Sequence, residues 1–190
     1  FTAKYMLSSS DCDGFPMEYI LKQATPQELE MWNNLTLGYT EGMGSIFLRE
    51  SICKFYSKAK PENVLVASPG ELSFIMMNVI MDAKNEGGRP HAVVVSPAYQ
   101  SLYEVFNSLG CDISYWKAAV ADGGAGADGG ECKEKLSGRE WRFDIEELRR
   151  LVKPETRLIV INFPHNPTGA YISRKELDEI VAIARSCGAY

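Results

Sequence analysis

Four short apolar runs constrain the fold of this chain more than any other feature: Val64-Leu65-Val66-Ala67, Ala92–Ser96 (A-V-V-V-S), Asp112–Trp116 and Arg157–Ile161 (R-L-I-V-I). They read as continuous Val/Ile stretches rather than as an alternation of apolar and polar residues, the pattern of strands buried on both faces. Helical patterns fill the gaps between them. Glu71–Lys84 predicts a mostly apolar helix, Ser101–Leu109 a helix closed by Gly110, Asp144-x-x-Glu147 a capped helix, and Ser173-x-x-Glu176 the start of an amphipathic helix ending at Gly188. Strands alternating with helices predict an α/β fold with a mainly parallel sheet covered on both faces. Ahead of this region, Thr25-Pro26-Gln27-Glu28 has the form of a helix start with a capping box. A further helix is expected after Gly44-Ser45, with Ile46, Phe47, Ile52, Phe55 and Tyr56 on its apolar face.

The composition excludes several other classes. With 190 residues, 45% of them hydrophobic, the chain can bury a real core and is too apolar for disorder. Its net charge of −5 argues against nucleic acid or an anionic membrane as the main partner, since both reward clustered Lys and Arg. The longest apolar stretch, Phe74–Met81, is broken by Asn78 and is far short of the roughly 18 residues a spanning helix needs. Cys12, Cys53, Cys111, Cys132 and Cys187 are odd in number and widely spaced, which suits unpaired thiols in a reducing, cytoplasmic setting, with an organelle left open. His91 and His165 have no ligand-spaced partner, so no metal site is expected. Phe1 opens the chain without the features of a signal peptide. Gly188-Ala189-Tyr190 closes it directly after a helix, at the mouth of a new strand, and the sequence reads as part of a longer polypeptide.

Ala118–Gly138 is the one compositional break, rich in glycine and nearly devoid of large apolar residues. Gly124-Ala125-Gly126-Ala127-Asp128-Gly129 matches G-x-G-x-x-G, but the residues after it offer only Leu136 to a sheet. The packed helix that a dinucleotide site needs is therefore not expected, and the segment reads as a flexible surface insertion.

In a parallel α/β sheet, ligands bind beyond the carboxyl ends of the strands, so the residues just after each strand carry the chemistry. Ser68-Pro69-Gly70-Glu71 opens a helix whose first-turn N–H groups form an anion cradle, or else an ordinary turn. Ser96-Pro97-Ala98-Tyr99 places an aromatic ring at the same edge, open alternatively to reading as a core tyrosine. Asn162-Phe163-Pro164-His165-Asn166-Pro167-Thr168-Gly169 is more specific. Its prolines stiffen a short loop, and Asn166, placed before Pro167, is kept out of helical conformation with its amide able to aim at a ligand.

Three features occur together and in order: the N-F-P-H-N-P-T-G loop, the Pro97-Ala98-Tyr99 step, and the run Tyr39, Gly44, Leu48, Arg49 in the pattern Y-x-x-x-x-G-x-x-x-L-R. In this the chain resembles the class I/II aminotransferases of the fold-type I pyridoxal-phosphate enzymes, from about Tyr5 to Tyr190. The resemblance implies a three-layer α/β/α large domain, incomplete on its C-terminal side. Residues 1–38 would form a segment over the active site, with the loop near Ser8–Asp11 above the substrate, and residues 39–190 the first part of the large domain. It implies pyridoxal 5'-phosphate as cofactor and amino-group transfer between an amino acid and a 2-oxo acid. Gly70 and Glu71 would offer backbone amides to the phosphate, Tyr99 would stack on the pyridine ring, and Asn166 would hydrogen-bond its phenolic oxygen. Tyr39 would reach the phosphate of a neighbouring subunit in a homodimer.

One departure from the family pattern lies in the phosphate cup, which reads Pro69-Gly70-Glu71-Leu72. Pro69 has no N–H, and a Glu71 carboxylate turned inward would repel a phosphate, so the amides alone are assigned. No lysine from Lys4 to Lys175 occupies the position of the Schiff-base lysine, and that lysine and the aspartate for the ring nitrogen are expected after Tyr190. Two alternatives stay open: a lyase or cyclase on the same frame, and an inactive truncated product acting as a binding module.

Overall fold

The structure, a computed structural model, describes residues 4–5, 12–82, 88–122 and 139–190. The chain forms two compact units, Phe1–Ala67 and Ser68–Tyr190.

The first unit carries three short helices, α1 (Met17–Leu21), α2 (Pro26–Asn33) and α3 (Ile46–Cys53), and a 3-10 turn at Pro61–Asn63. The expected capping box starts α2: Glu28 N–H donates to Thr25 Oγ1 at 3.3 Å, and Thr25 N–H donates back to Glu28 Oε2 at 2.7 Å. The Thr25 N–H, and with it the Thr25 hydroxyl at 2.8 Å, donate to Glu28 Oε2 and hold the Glu28 carboxyl below the usual carboxylate range. Gly44 and Arg49 have backbone roles here. Gly44 has φ +88°, and a Cβ added to it would sit 2.7 Å from Val66 Cβ, so only glycine fits. Arg49 donates from Nε to the Gly44 carbonyl at 2.9 Å and from Nη1 to the Pro61 carbonyl at 2.8 Å, tying the start of α3 to the later turn.

Val64–Ala67, expected as a strand, forms none. Val64 is extended (φ −113°, ψ 123°), and Val66 N–H donates to the Met43 carbonyl at 3.0 Å, but no ladder forms. β-propensity fits a residue for a pleated surface and supplies no neighbour, and this segment's N–H groups at Val64 and Val66 bond to the Pro61 and Met43 carbonyls.

The second unit is built on a parallel sheet in the order β2-β1-β5, with β1 His91–Ser96, β2 Asp112–Lys117 and β5 Thr156–Val160. The central strand β1 is buried on both faces, and Ala92, Val93, Val94 and Val95 are each 0% exposed. Alternate residues feed two cores. Ala92 and Val94 pack with Met77 and Met81 of α4 (Pro69–Asp82), Phe106 of α5 (Glu104–Ser108) and Cys111. Val93 and Val95 pack with Trp116, Phe143, Leu148 of α6 (Ile145–Leu151), and Ile180 and Ile183 of α7 (Arg174–Cys187). The result is the three-layer α/β/α arrangement that continuous Val runs require.

Local signals set most helix limits. Ser173 and Glu176 close a capping box on α7, and Gly188, at φ 72°, ends that helix in the left-handed conformation. Asp144 caps α6 through Glu146 N–H at 2.9 Å rather than in a box with Glu147. The helix expected over Ser101–Leu109 is split into a 3-10 turn, Gln100–Leu102, and α5, with Gly110 at φ 69° after it. At the start of the stretch expected as a flexible insertion, β3 (Ala119–Asp122) pairs antiparallel with β4 (Arg139–Arg142) just beyond it, while the G-x-G-x-x-G match lies outside the described residues.

Beyond α7, Tyr190 N–H donates to the Arg157 carbonyl and its carbonyl accepts from Ile159 N–H, both at 2.9 Å. This is the rung pattern of a parallel neighbour on the free side of β5. No helix among the described residues is long and apolar enough to cross a membrane.

His91, at the amino end of β1, is 1% exposed, with Nδ1 2.8 Å from Thr156 Oγ1 and Nε2 2.9 Å from Ser114 Oγ. It crosslinks all three strands at the edge opposite the functional loops. Burial holds its pKa below the ordinary histidine value.

Candidate functional site

At the carboxyl edge of the sheet, β1 runs into Ser96-Pro97-Ala98-Tyr99 and β5 into the loop Asn162–Gly169. The start of α4 faces the same edge. Its far end, at Asn78, Val79, Met81 and Asp82, lines a pocket with Pro90, Leu109 and Cys111, residues that precede β1 and β2. Helix α4 therefore runs antiparallel to the strands, and Pro69-Gly70-Glu71 at its beginning points toward their carboxyl ends. The pocket itself lies at the amino edge, away from the loops.

His165 joins the two loops. It is 1% exposed, with Nε2 2.8 Å from the Pro97 carbonyl oxygen and Nδ1 2.8 Å from Thr168 Oγ1. A carbonyl only accepts, so Nε2 carries the proton and Nδ1 accepts from the Thr168 hydroxyl. Thr168 Oγ1 in turn accepts from Ala170 N–H at 3.2 Å. Burial holds the His165 pKa below its ordinary value, partly offset by the bond to Pro97. Phe143 meets the imidazole edge-on at 4.7 Å between centroids and Phe163 edge-on at 5.1 Å, while Trp116 packs on Phe143 at 5.0 Å. Trp116 Nε1 donates to the Asp144 carbonyl at 2.8 Å. An aromatic floor thus lies beneath the loop that carries Asn166.

The loop closes on itself as well. His165 N–H donates to the Ala170 carbonyl at 2.6 Å and Gly169 N–H to the His165 carbonyl at 2.7 Å. Gly169 sits at φ 72°.

Residues 2–190 of the sequence match the family described as "Aminotransferase class I and II". The chain belongs to this family. Within it, an aromatic-amino-acid aminotransferase 2 from Thermococcus litoralis is 27% identical over 151 residues, covering 77% of this chain and 34% of the relative. A crystal structure of a PLP-dependent aminotransferase from Streptococcus suis superposes with TM-score 0.66 at 28% identity, covering 90% of this chain and 41% of that one. The PLP-dependent cyclase OrfR shares the fold at TM-score 0.70 and 24% identity, over 96% of this chain and 42% of its own. The chain spans about a third of the length of the curated relative.

Four of the five residues singled out in the sequence fall in the second unit. Tyr99 follows β1 with its ring 59% exposed, Asn166 follows β5, and Gly70 and Glu71 open α4 at the same edge. Tyr39 belongs to the first unit and its ring is fully exposed. The Ser8–Asp11 loop lies outside the described residues.

The donor set at the start of α4 fits a phosphate. Gly70 N–H is one of the helix's unpaired first-turn donors, and a Cβ added at Gly70 would meet nothing within 4 Å, so the space in front of it is open. Glu71 N–H donates to Ser68 Oγ at 3.4 Å, a long N-cap bond that a stronger acceptor such as a phosphate oxygen could replace. The contact of His165 with Pro97 was not legible in the sequence, since nothing local marks His165 as a crosslink. Among the described residues no group of three or more His, Cys, Asp and Glu side chains is placed to hold a metal ion.

Proposed function

We propose that this chain is the N-terminal, cofactor-clamping part of a pyridoxal-phosphate-dependent aminotransferase that moves an amino group between an amino acid and a 2-oxo acid. The observation that carries the reading is the convergence of three junctions at one sheet edge: the α4 start, the Tyr99 loop and the Asn166 loop, the last two bonded through His165. Pyridoxal phosphate, when bound, supplies an electron sink for bonds at the amino-acid α-carbon, and the protein's tasks are to hold, orient and tune it.

Gly70 N–H, with Glu71 N–H released from its long bond to Ser68 Oγ, binds the phosphate at the positive end of α4. Tyr99 offers a ring face to the pyridine ring. The Asn166 amide donates to the phenolic oxygen and favours its ionised form. Tyr39 serves the phosphate of the other subunit in a homodimer. Residues 39–190 begin the large domain. The Schiff-base lysine and the aspartate for the ring nitrogen lie beyond Tyr190. Four free thiols among the described residues support a reducing compartment such as the cytoplasm.

The test uses the full-length polypeptide reconstituted with pyridoxal phosphate. An amino donor should bleach the bound cofactor's visible band, and a 2-oxo acid should restore it. Absence of bleaching with every amino acid tried overturns the reading, and ammonia release without an amino acceptor redirects it to elimination. The 190-residue chain alone should show no such cycle.

A further inference from the structure

We propose that His165 is a positioning residue: as its Nε2–H tautomer it sets the placement of Asn166 relative to Tyr99, by bonding the loop after β5 to the carbonyl of Pro97 in the loop after β1. This rests on the reading of Asn166 and Tyr99 as contacts to the cofactor ring.

The shape of the loop and its placement are held by different bonds. The shape of 162–169 is held by backbone bonds, His165 N–H to the Ala170 carbonyl and Gly169 N–H to the His165 carbonyl, and by Gly169 in the left-handed region. None of these involves the imidazole, whose one link inside the loop is Nδ1 to the Thr168 hydroxyl. The ring makes the loop-to-loop bond, at 2.8 Å to Pro97, across 68 residues of sequence. Asn166 follows His165 directly, and Tyr99 lies two residues after Pro97, so a displacement at this bond is transmitted to both at short range.

The donors also point one way. Ala170 N–H donates to the Thr168 hydroxyl, that hydroxyl to Nδ1, and Nε2–H to the Pro97 carbonyl. Such a chain polarises each of its links and fixes the tautomer. The edge-on contact of Phe143, at 4.7 Å, holds the ring plane in which both nitrogens aim. A residue needed only to fill this space would require neither nitrogen.

The test uses the full-length polypeptide with bound pyridoxal phosphate and reads three quantities: the pH midpoint of the cofactor's visible band, its dissociation constant, and the melting temperature of the apoprotein. Asn166→Ala should raise the midpoint by about one unit, because it removes a donor to the ionised phenolic oxygen. His165→Leu, which keeps the volume and removes both bonds, should raise the midpoint in the same direction and weaken cofactor binding roughly tenfold, the size of a lost charge-assisted bond. His165→Gln, whose amide can still donate to Pro97, should recover most of both effects. In the double variant the shift should not exceed that of Asn166→Ala alone, because both changes remove one contact.

If His165→Leu lowers only the melting temperature and leaves midpoint and affinity unchanged while Asn166→Ala moves them, His165 is structural and the inference falls. If Asn166→Ala itself moves neither, the assignment of Asn166 falls and this inference with it. Should His165→Leu fail to fold, His165→Asn, which cannot span to Pro97 from the Nδ1 side, takes its place, and an unchanged midpoint there overturns the proposal.

Discussion

Helices α2 and α7 begin with the same device, yet only one of them is packed into a core. Thr25 and Glu28 close a capping box on α2, and Ser173 and Glu176 close one on α7. Helix α7 buries Ile180 and Ile183, whereas none of the residues of α1, α2 or α3 is buried. The contrast extends to the two units. In the first, Leu37 is 94% and Phe55 84% exposed, and order rests on caps, on Gly44 and on the two carbonyl bonds of Arg49. In the second, both faces of β1 are sealed. A cap decides where a helix starts, and burial decides how much of the unit's stability that helix carries.

The largest test of this contrast is Trp116→Ala. Loss of a fully buried indole that donates to the Asp144 carbonyl should lower stability by about 3–5 kcal/mol in denaturant unfolding. Phe55→Ala, in the exposed region, should stay within about 0.5 kcal/mol. Equal losses would mean that the first unit carries a core after all. Gly44→Ala comes next. A Cβ at φ +88°, 2.7 Å from Val66 Cβ, should cost about 1–3 kcal/mol locally, read as faster proteolysis within the first unit with the second unit's unfolding unchanged.

The difference between the units also explains what was legible from sequence. The Val run of β1 and the boxes at Thr25 and Ser173 are local signals, and each was matched by the structure. Val64–Ala67 has the same residue types as β1, but Val66 bonds to Met43 and Val64 to Pro61 instead of to a strand, a choice that depends on tertiary neighbours. The loops bearing Tyr99 and Asn166 could be read from prolines and strand ends, and the position of Gly70 from a helix start, although the strand expected before it does not form. His165 could not, since its meaning is a carbonyl 68 residues away and a single imidazole carries no record of its partner.

A smaller effect should separate the two capping boxes. Ser173→Ala should lower the second unit's stability by about 1 kcal/mol, because α7 is coupled to a core. Thr25→Ala should leave global unfolding unchanged and appear only as faster amide exchange across 26–33. The smallest effect is a pH response. The folded-state pKa of His91 lies below its unfolded value, so the stability it contributes is present above about pH 6.5 and is lost as pH falls through the folded pKa. The acid slope of second-unit stability should shrink in His91→Gln, and an unchanged slope would assign the acid response to other groups.

The central claim, that the start of α4 holds the cofactor phosphate, is tested most directly by Gly70→Asp in the full-length polypeptide. The site in front of Gly70 is open, and an acidic residue in the first turn of a helix is favourable, so the melting temperature of the apoprotein should hold or rise. The same carboxylate should repel a phosphate and weaken pyridoxal-phosphate binding at least about tenfold. Undiminished cofactor affinity in this variant would contradict the account.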